Sequence, residues 1–454
     1  MVQTTEQQRA SRPAGRDGYL ADFEAFEKNL NGEASSHVHA IRKTAIARFA
    51  ALGFPTTNNE EWKYTDVTAL AKLRLSPVLR PSGGEIQPRD IEQFTFHNLP
   101  CYRLVCVNGR YSKSLSSDPS PLPGVRIESL ADALKSNAGA VRDHLAQHAR
   151  YDENAFTALS TAFIQDGAYI SIPDGMILDK PVHLLFVSTD HEQEVVSHPR
   201  ILAVVGKSAQ VSIIESYESL TKGVYFTNAV SEVVVGENAI VEHDKLQNES
   251  DRAFHIAALQ VHLERNSSFT SNNISLGGSL SRNTIEAVLD GEGAECTLNG
   301  LYIANGQQLV DNHTTIDHAK PHCPSHELYK GILSGKSRGV FNGKIKVRKD
   351  AQKTDAKQTN KNLVLSDDAS IDTKPQLEIF ANDVRCTHGA TIGQIDDEAM
   401  FYLRSRGVGQ DDARTILIYA FASDVVERVH VEPLRQQLLG MIENRLSPGK
   451  ALPE

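Results

Sequence analysis

A thiol and an imidazole stand two residues apart near the end of the chain, in "DVRCTHGATIG", Asp383 to Gly393. In an extended strand successive side chains alternate, so Cys386 and His388 share one face. A thiolate and a neutral imidazole are both ligands for transition metals, and together they supply half of a tetrahedral set. The open positions would fall to another subunit, a labile ion or a cluster in transit. The same pair also fits a small buried hydrophobe beside a hydrogen-bonded histidine, which requires no metal.

A denser polar cluster lies earlier, in "DNHTTIDHAKPHCPSHELYKG", with His313, His318, His322, Cys323 and His326 close together. Four imidazoles and a thiol could build a metal centre of their own, and with it a self-sufficient metalloenzyme. Yet no pair has zinc-finger spacing, and Pro321 and Pro324 make the backbone irregular, so bridging a turn or a partner surface is the plainer use. Phosphate chemistry has no obvious home. "GILSGKSRG" contains Gly-Lys-Ser but lacks the glycine five residues ahead of its Gly-Lys, and no His-Glu-x-x-His occurs.

The elements that must position these residues change character twice along the chain. Leu20, Phe23, Phe26 and Leu30, then Ile41, Ala45, Phe49 and Leu52, recur at helical spacing, with Gly53 and Pro55 as stops. "NNEEWKYTDV" follows, and its Trp62 and Tyr64 are expected to anchor a loop against the core. Mixed signals continue to about residue 155, and Cys101 and Cys106 flank a strand-like "YRLV". From about residue 160 the period becomes two. Runs such as "RILAVVGKSAQVSIIES" and "SEVVVGENAIVEHDKLQ" are broken by similar turns at Gly206, Gly236, Arg265 and Gly291. That recurrence at roughly 25–30 residues, with few hairpin dipeptides, predicts a parallel β-helix, whose rungs bury only their inward side chains. A large sandwich is the competing architecture.

After Gly393 the period is helical again: Met400, Phe401 and Leu403, a stop at Gly407, a start at Asp411-Asp412, and a stripe of Leu434, Leu438 and Ile442. The expected organisation is a helical or mixed region over 1–157, a β-helix over 158–395, and a helical region over 396–454. The last of these is expected to cap the open edge of the final rung.

The bulk composition excludes several classes. A net charge of −10 and a pI near 6 argue against a nucleic-acid partner, which needs a basic footprint. No apolar run reaches the ~20 residues of a membrane span, and the start lacks a secretory h-region. Five scattered cysteines fit a reducing, cytoplasmic setting. A β-helix enzyme acting on acidic polysaccharide would want sugar-stacking aromatics, but those are 6% of residues and only one is tryptophan.

Several long runs carry a resemblance. "KPQLEIFANDVRCTHGATIGQIDDEAMFYLRSRGV" (374–408), "SRGVFNGKIKV" (337–347), "KTDAKQTNKNLVL" (353–365) and "NNEEWKYTDV" (58–67) resemble the SufB/SufD iron–sulfur assembly scaffold family. "HTTIDHAKPHCPSHELYKG" favours its SufD branch. The resemblance implies a right-handed parallel β-helix between helical terminal domains, and a non-catalytic subunit of a SufBCD-type complex. The implied partners are a SufB-like paralogous chain and a SufC-like ATPase docked on the C-terminal helices, with a homodimer left open for the isolated chain. An iron–sulfur cluster or iron would be held transiently where the two β-helices meet. Carried onto this sequence, His388 and Cys386 become this chain's share of that site. Arg404 and Arg406 in "YLRSRG" are candidates for the ATPase-facing surface. Beside an imidazole, the Cys386 thiol is expected to be partly thiolate. The imidazole of His388 is expected to point out of the coil toward the neighbouring chain.

Overall fold

The computed structural model describes residues 14–30, 36–79, 86–96, 99–117, 122–136, 139–191 and 193–446. Its centre is a parallel β-helix of two sheets. From Gly167 onward, successive long strands join the two sheets in alternation, and each pairs in parallel with the strand one circuit further on. One sheet contains Tyr225–Val235, Phe254–Leu263, Leu280–Leu289, Leu309–His318, Arg338–Val347 and Ser370–Ile379. The other contains Ile240–Asn248, Ser268–Ser275, Glu295–Ala304, Pro324–Leu333, Asp355–Val364 and Arg385–Gly393.

The repeated turns seen in the sequence form one spine down the coil. Ser208, Asn238, Asn266, Gly293, His322 and Lys353 all adopt positive φ, between 53° and 73°. Each donates its backbone N–H to a carbonyl in the next turn: Asn238 to Arg265, Gly293 to Pro321, His322 to Gln352, Lys353 to Asp383. Small and polar residues at these positions tolerate the left-handed conformation, which sets the register of every rung.

Alternation then sorts the side chains. Ala257, Leu259, Val261 and Leu263 of one strand face inward with Ile285, Ala287 and Leu289 of the next, giving a core that runs the length of the coil. Burying each large aliphatic side chain there contributes about 1.5–3 kcal/mol.

The outer faces are covered by helices. Helices Gly15–Glu27, His37–Leu52 and Ala155–Ala162 pack on the first sheet through Phe226, Ile256 and Leu280. Trp62 is buried among them with the Arg282 guanidinium 3.8 Å over its ring, and Tyr64 is half-buried. The buried stripe of the second helix includes Arg42, whose Nε donates to the Ile164 carbonyl at 2.8 Å.

The C-terminal helices correct an expectation. Gln410–Val426 and Glu432–Leu446 lie along the side of the second sheet, on Leu246, Ile274, Leu301, Ile303 and Ile332. They do not cap the final rung. The stripe Leu434, Leu438, Ile442, Leu446 is buried there because the outer face of the sheet offers an apolar column, whereas the end of the coil offers mostly strand edge.

Candidate functional site

The final rung consists of Ser370–Ile379 and Arg385–Gly393, each the last strand of its sheet. In the strand below, Ala356, Gln358, Asn360 and Asn362 are buried, while Lys357 and Lys361 are exposed. Cys386 lies in register over Ala356 and His388 over Gln358, so the pair does share one face and that face is the inward one. His388 is exposed because no rung lies beyond it. This corrects the expectation of an imidazole pointing out of the coil: His388 has core parity and sits at an open mouth.

Cys386 differs from its neighbour in environment. It is half-buried against Ile345, Val347, Ala356 and Leu377. Burial, with the Asp355 carboxylate nearby, raises its pKa above that of a free thiol. The direction runs against the expected partial thiolate: desolvation and Asp355 outweigh the backbone hydrogen bond from Ala356 that favours the charged form.

Beneath the imidazole a polar column descends into the coil. Gln358 Nε2 donates to Glu327 Oε2 at 2.7 Å, and both residues are buried. Burial pushes the Glu327 carboxyl up to about 7, against hydrogen bonds from Thr314 and Gln358 that lower it. Sequence reading passed over both residues. The only available signal was polar residues at inward positions of a strand.

The four-histidine segment does not converge. His313 faces outward on the first sheet, 3.1 Å from Asp311 and 3.3 Å from Glu61. It clasps the Trp62 loop, where Thr65 also donates to Asp311 at 2.6 Å and the His313 hydrogen bond holds Glu61 down at about 2. His318 lies inside the coil, bonded to Ser325 Oγ at 3.0 Å, and burial depresses its pKa to about 4. His322 is a residue of the turn spine, and His326 is exposed on the outside of the second sheet. Cys323 is buried, its thiol donating to the Gly291 carbonyl. Among the described residues no three His, Cys, Asp or Glu side chains are grouped to hold a metal ion.

The chain does carry one Gly-x-Ser-x-Gly spacing, Gly335-Lys-Ser-Arg-Gly339, against the expectation that it has none, but Ser337 is buried in a turn and donates to the Ala304 carbonyl at 3.1 Å.

Around the open mouth lies apolar surface. Phe380 is 62% and Ile392 54% exposed, and the helix that follows, Asp397–Ser405, buries none of its residues and presents Phe401 at 74%. Arg404 and Arg406 are exposed at the end of that helix, Arg406 over the Tyr402 ring at 5.2 Å. No helix is long and apolar enough to cross a membrane among the described residues.

A parallel β-helix braced by helices on both flanks, with its thiol–imidazole pair on an uncovered last rung, defines a β-solenoid protein with one open end. The comparisons give the class a family. Residues 14–184 match the SufBD protein N-terminal region, and residues 186–421 match the SufBD core domain of the SUF system for FeS cluster assembly. The chain is 34% identical over 429 residues to the iron-sulfur cluster assembly protein SufD of Escherichia coli, covering 94% of this chain and 96% of that protein. It is 34% identical to an iron-sulfur cluster assembly SufBD family protein of Synechocystis, covering 90% and 91%. A chloroplastic protein of Arabidopsis thaliana is 27% identical, covering 93% and 90%. The chain belongs to the SufBD family.

Proposed function

We propose that this protein is a non-catalytic scaffold subunit for iron–sulfur cluster assembly, whose open last rung docks a paralogous SufB-like β-helix. His388, with Cys386 beside it, supplies part of an iron or nascent-cluster site at that junction, and the partner supplies the rest. The cluster is cargo. Two donors hold iron too weakly to keep it, which suits a site that must pass its contents on; a full set of cysteines would retain it. ATP hydrolysis belongs to a SufC-like partner on the C-terminal helices, with Arg404 and Arg406 on the surface it meets.

The observation that carries this reading is the exposure of an inward-parity imidazole: His388 occupies a core position with the next rung missing. The divergence of His313, His318, His322 and His326 speaks against the metalloenzyme alternative.

The test replaces His388 with alanine and reconstitutes the complex with its paralogous and ATPase partners. Cluster content should fall severalfold while the complex still assembles. Unchanged cluster content and iron uptake would remove the ligand role.

A further inference from the structure

We infer that Gln358 is the positioning residue for His388, a reading that rests on the ligand role proposed above. Gln358 lies directly beneath His388 in register and on the same inward parity. Its side chain is buried, with 2% exposure, and the amide is held from below: Nε2 donates to Glu327 Oε2 at 2.7 Å. Gly343 on the facing sheet leaves room for that amide, since a Cβ there would come within 2.3 Å of Nε2. The carbonyl oxygen Oε1 has no hydrogen-bond partner among the described residues.

A buried acceptor left unpaired costs about 1–3 kcal/mol, and buried side-chain oxygens are seldom left so. The amide oxygen diverges from Nε2 across the same carbon, and the next strand of the inward column is the one above. That strand is the one bearing His388, about 4.8 Å away. His388 does not bond this oxygen in the structure, but its exposed ring stands one strand away, so a side-chain rotation brings one ring N–H to a fixed acceptor. Donating to it settles the tautomer and leaves the other ring nitrogen with a bare lone pair. Imidazoles that bind metals generally donate their second nitrogen to a carbonyl or carboxylate in this way. An amide, unlike a carboxylate, adds no charge to the ligand, in keeping with a site that releases its metal.

The experiment uses the full chain labelled with ¹⁵N-histidine, the His388 ring signals being assigned by their loss in His388→Ala. Gln358→Met, similar in length but with no acceptor oxygen, should change the His388 ring-nitrogen shifts and tautomer ratio. It should also lower cluster content of the reconstituted complex by about tenfold. The swapped pair Glu327→Gln with Gln358→Glu restores an acceptor held by an amide and should bring both readouts back toward the wild type. If Gln358→Met fails to fold, Gln358→Asn, one methylene too short to meet both neighbours, takes its place. Ring signals unchanged in the folded variant overturn the inference. If instead His388→Ala retains full cluster content, the ligand reading falls, and the ring signals still decide whether the bond exists.

Discussion

The two ends of the coil are built on opposite plans. At the amino end the sheets finish in antiparallel pairs, Arg126–Ser129 against Gly167–Ile172 and Arg110–Tyr111 against Tyr102–Val107. One buried carboxylate ties them: Asp166 accepts from the backbone N–H groups of Tyr111 and Gly167 at 3.0 and 2.9 Å and from Ser129 Oγ at 2.9 Å. At the carboxyl end the last parallel strands simply stop, with Phe380 and Ile392 bare and His388 uncovered. Natural sheets blunt their edges by turns, charges or covering helices. A chain that does so at one end, and lays its C-terminal helices along the side instead of over the other, keeps that second end available.

The largest expected effect breaks the open end alone. Phe380→Glu with Ile392→Glu should weaken association with the paralogous β-helix chain by about 100-fold or more, the range of apolar interface anchors. Thermal unfolding of the isolated chain should hardly change. Titration by calorimetry checks the first statement and a melting curve the second; equal affinity would mean that the partner docks elsewhere. The closed end should show the reverse. Asp166→Ala orphans several donors and should cost about 2–4 kcal/mol in urea unfolding. Asp383→Ala, which removes an exposed carboxylate paired with Lys353 at the open end, should stay within about 0.5 kcal/mol.

Period and turn chemistry made the coil legible, because a left-handed residue at each turn imposes a near-constant repeat that Ser208, Asn238 and Asn266 display in their types. The four-histidine segment misled for a related reason. Residues close in sequence there pass from the outside of one sheet, through its interior and a turn, to the outside of the other. His313, His318, His322 and His326 thus take four different environments. The shared face of Cys386 and His388 was readable from their spacing. Which face it was, and that it lay open, depended on register with Ala356 and Gln358 and on where the C-terminal helices settled, both set by tertiary packing. Arg42 on the buried side of its helix was likewise invisible to hydrophobic spacing.

Two buried histidines toward the amino end and one buried carboxyl toward the open end should answer pH in opposite directions. His318, held at about 4, adds an acid response beside the latter, and Glu218, raised to about 8, a basic one beside the former. His183 and His198, near the amino end, are buried and held down at about 3. Their folded-state pKa is below the unfolded value of about 6.5, so their contribution is present above pH 6.5 and lost as pH falls toward 3. Glu327, near the open end, is raised to about 7. Its contribution is complete below about pH 4.5 and lost as pH rises through 7. Hydrogen exchange, corrected for intrinsic rates, should show residues 182–205 losing protection on acidification and residues 324–364 losing it between pH 5 and 8, the latter by about 2–3 kcal/mol at most. Glu327→Gln should flatten the second slope and leave the first. A uniform response along the coil would sink the distinction.

The smallest effect is a rate. Cys106, Cys296 and Cys323 are buried, whereas Cys101 and Cys386 are partly exposed, one toward each end of the coil. Both thiols have raised pKa values, chiefly through burial, so both should alkylate slowly at pH 7 and faster as pH rises, while the other three react only on unfolding. Adding the paralogous chain should slow modification of Cys386 severalfold and leave Cys101 unaffected, as peptide mass spectrometry can follow. Equal protection of the two would place the partner along the whole coil. Protection of Cys101 alone would put it at the amino end, where the sheets are already tied off. Only selective loss of reactivity at Cys386 fits an end-to-end junction, because a partner seated on the last rung covers the mouth and little else.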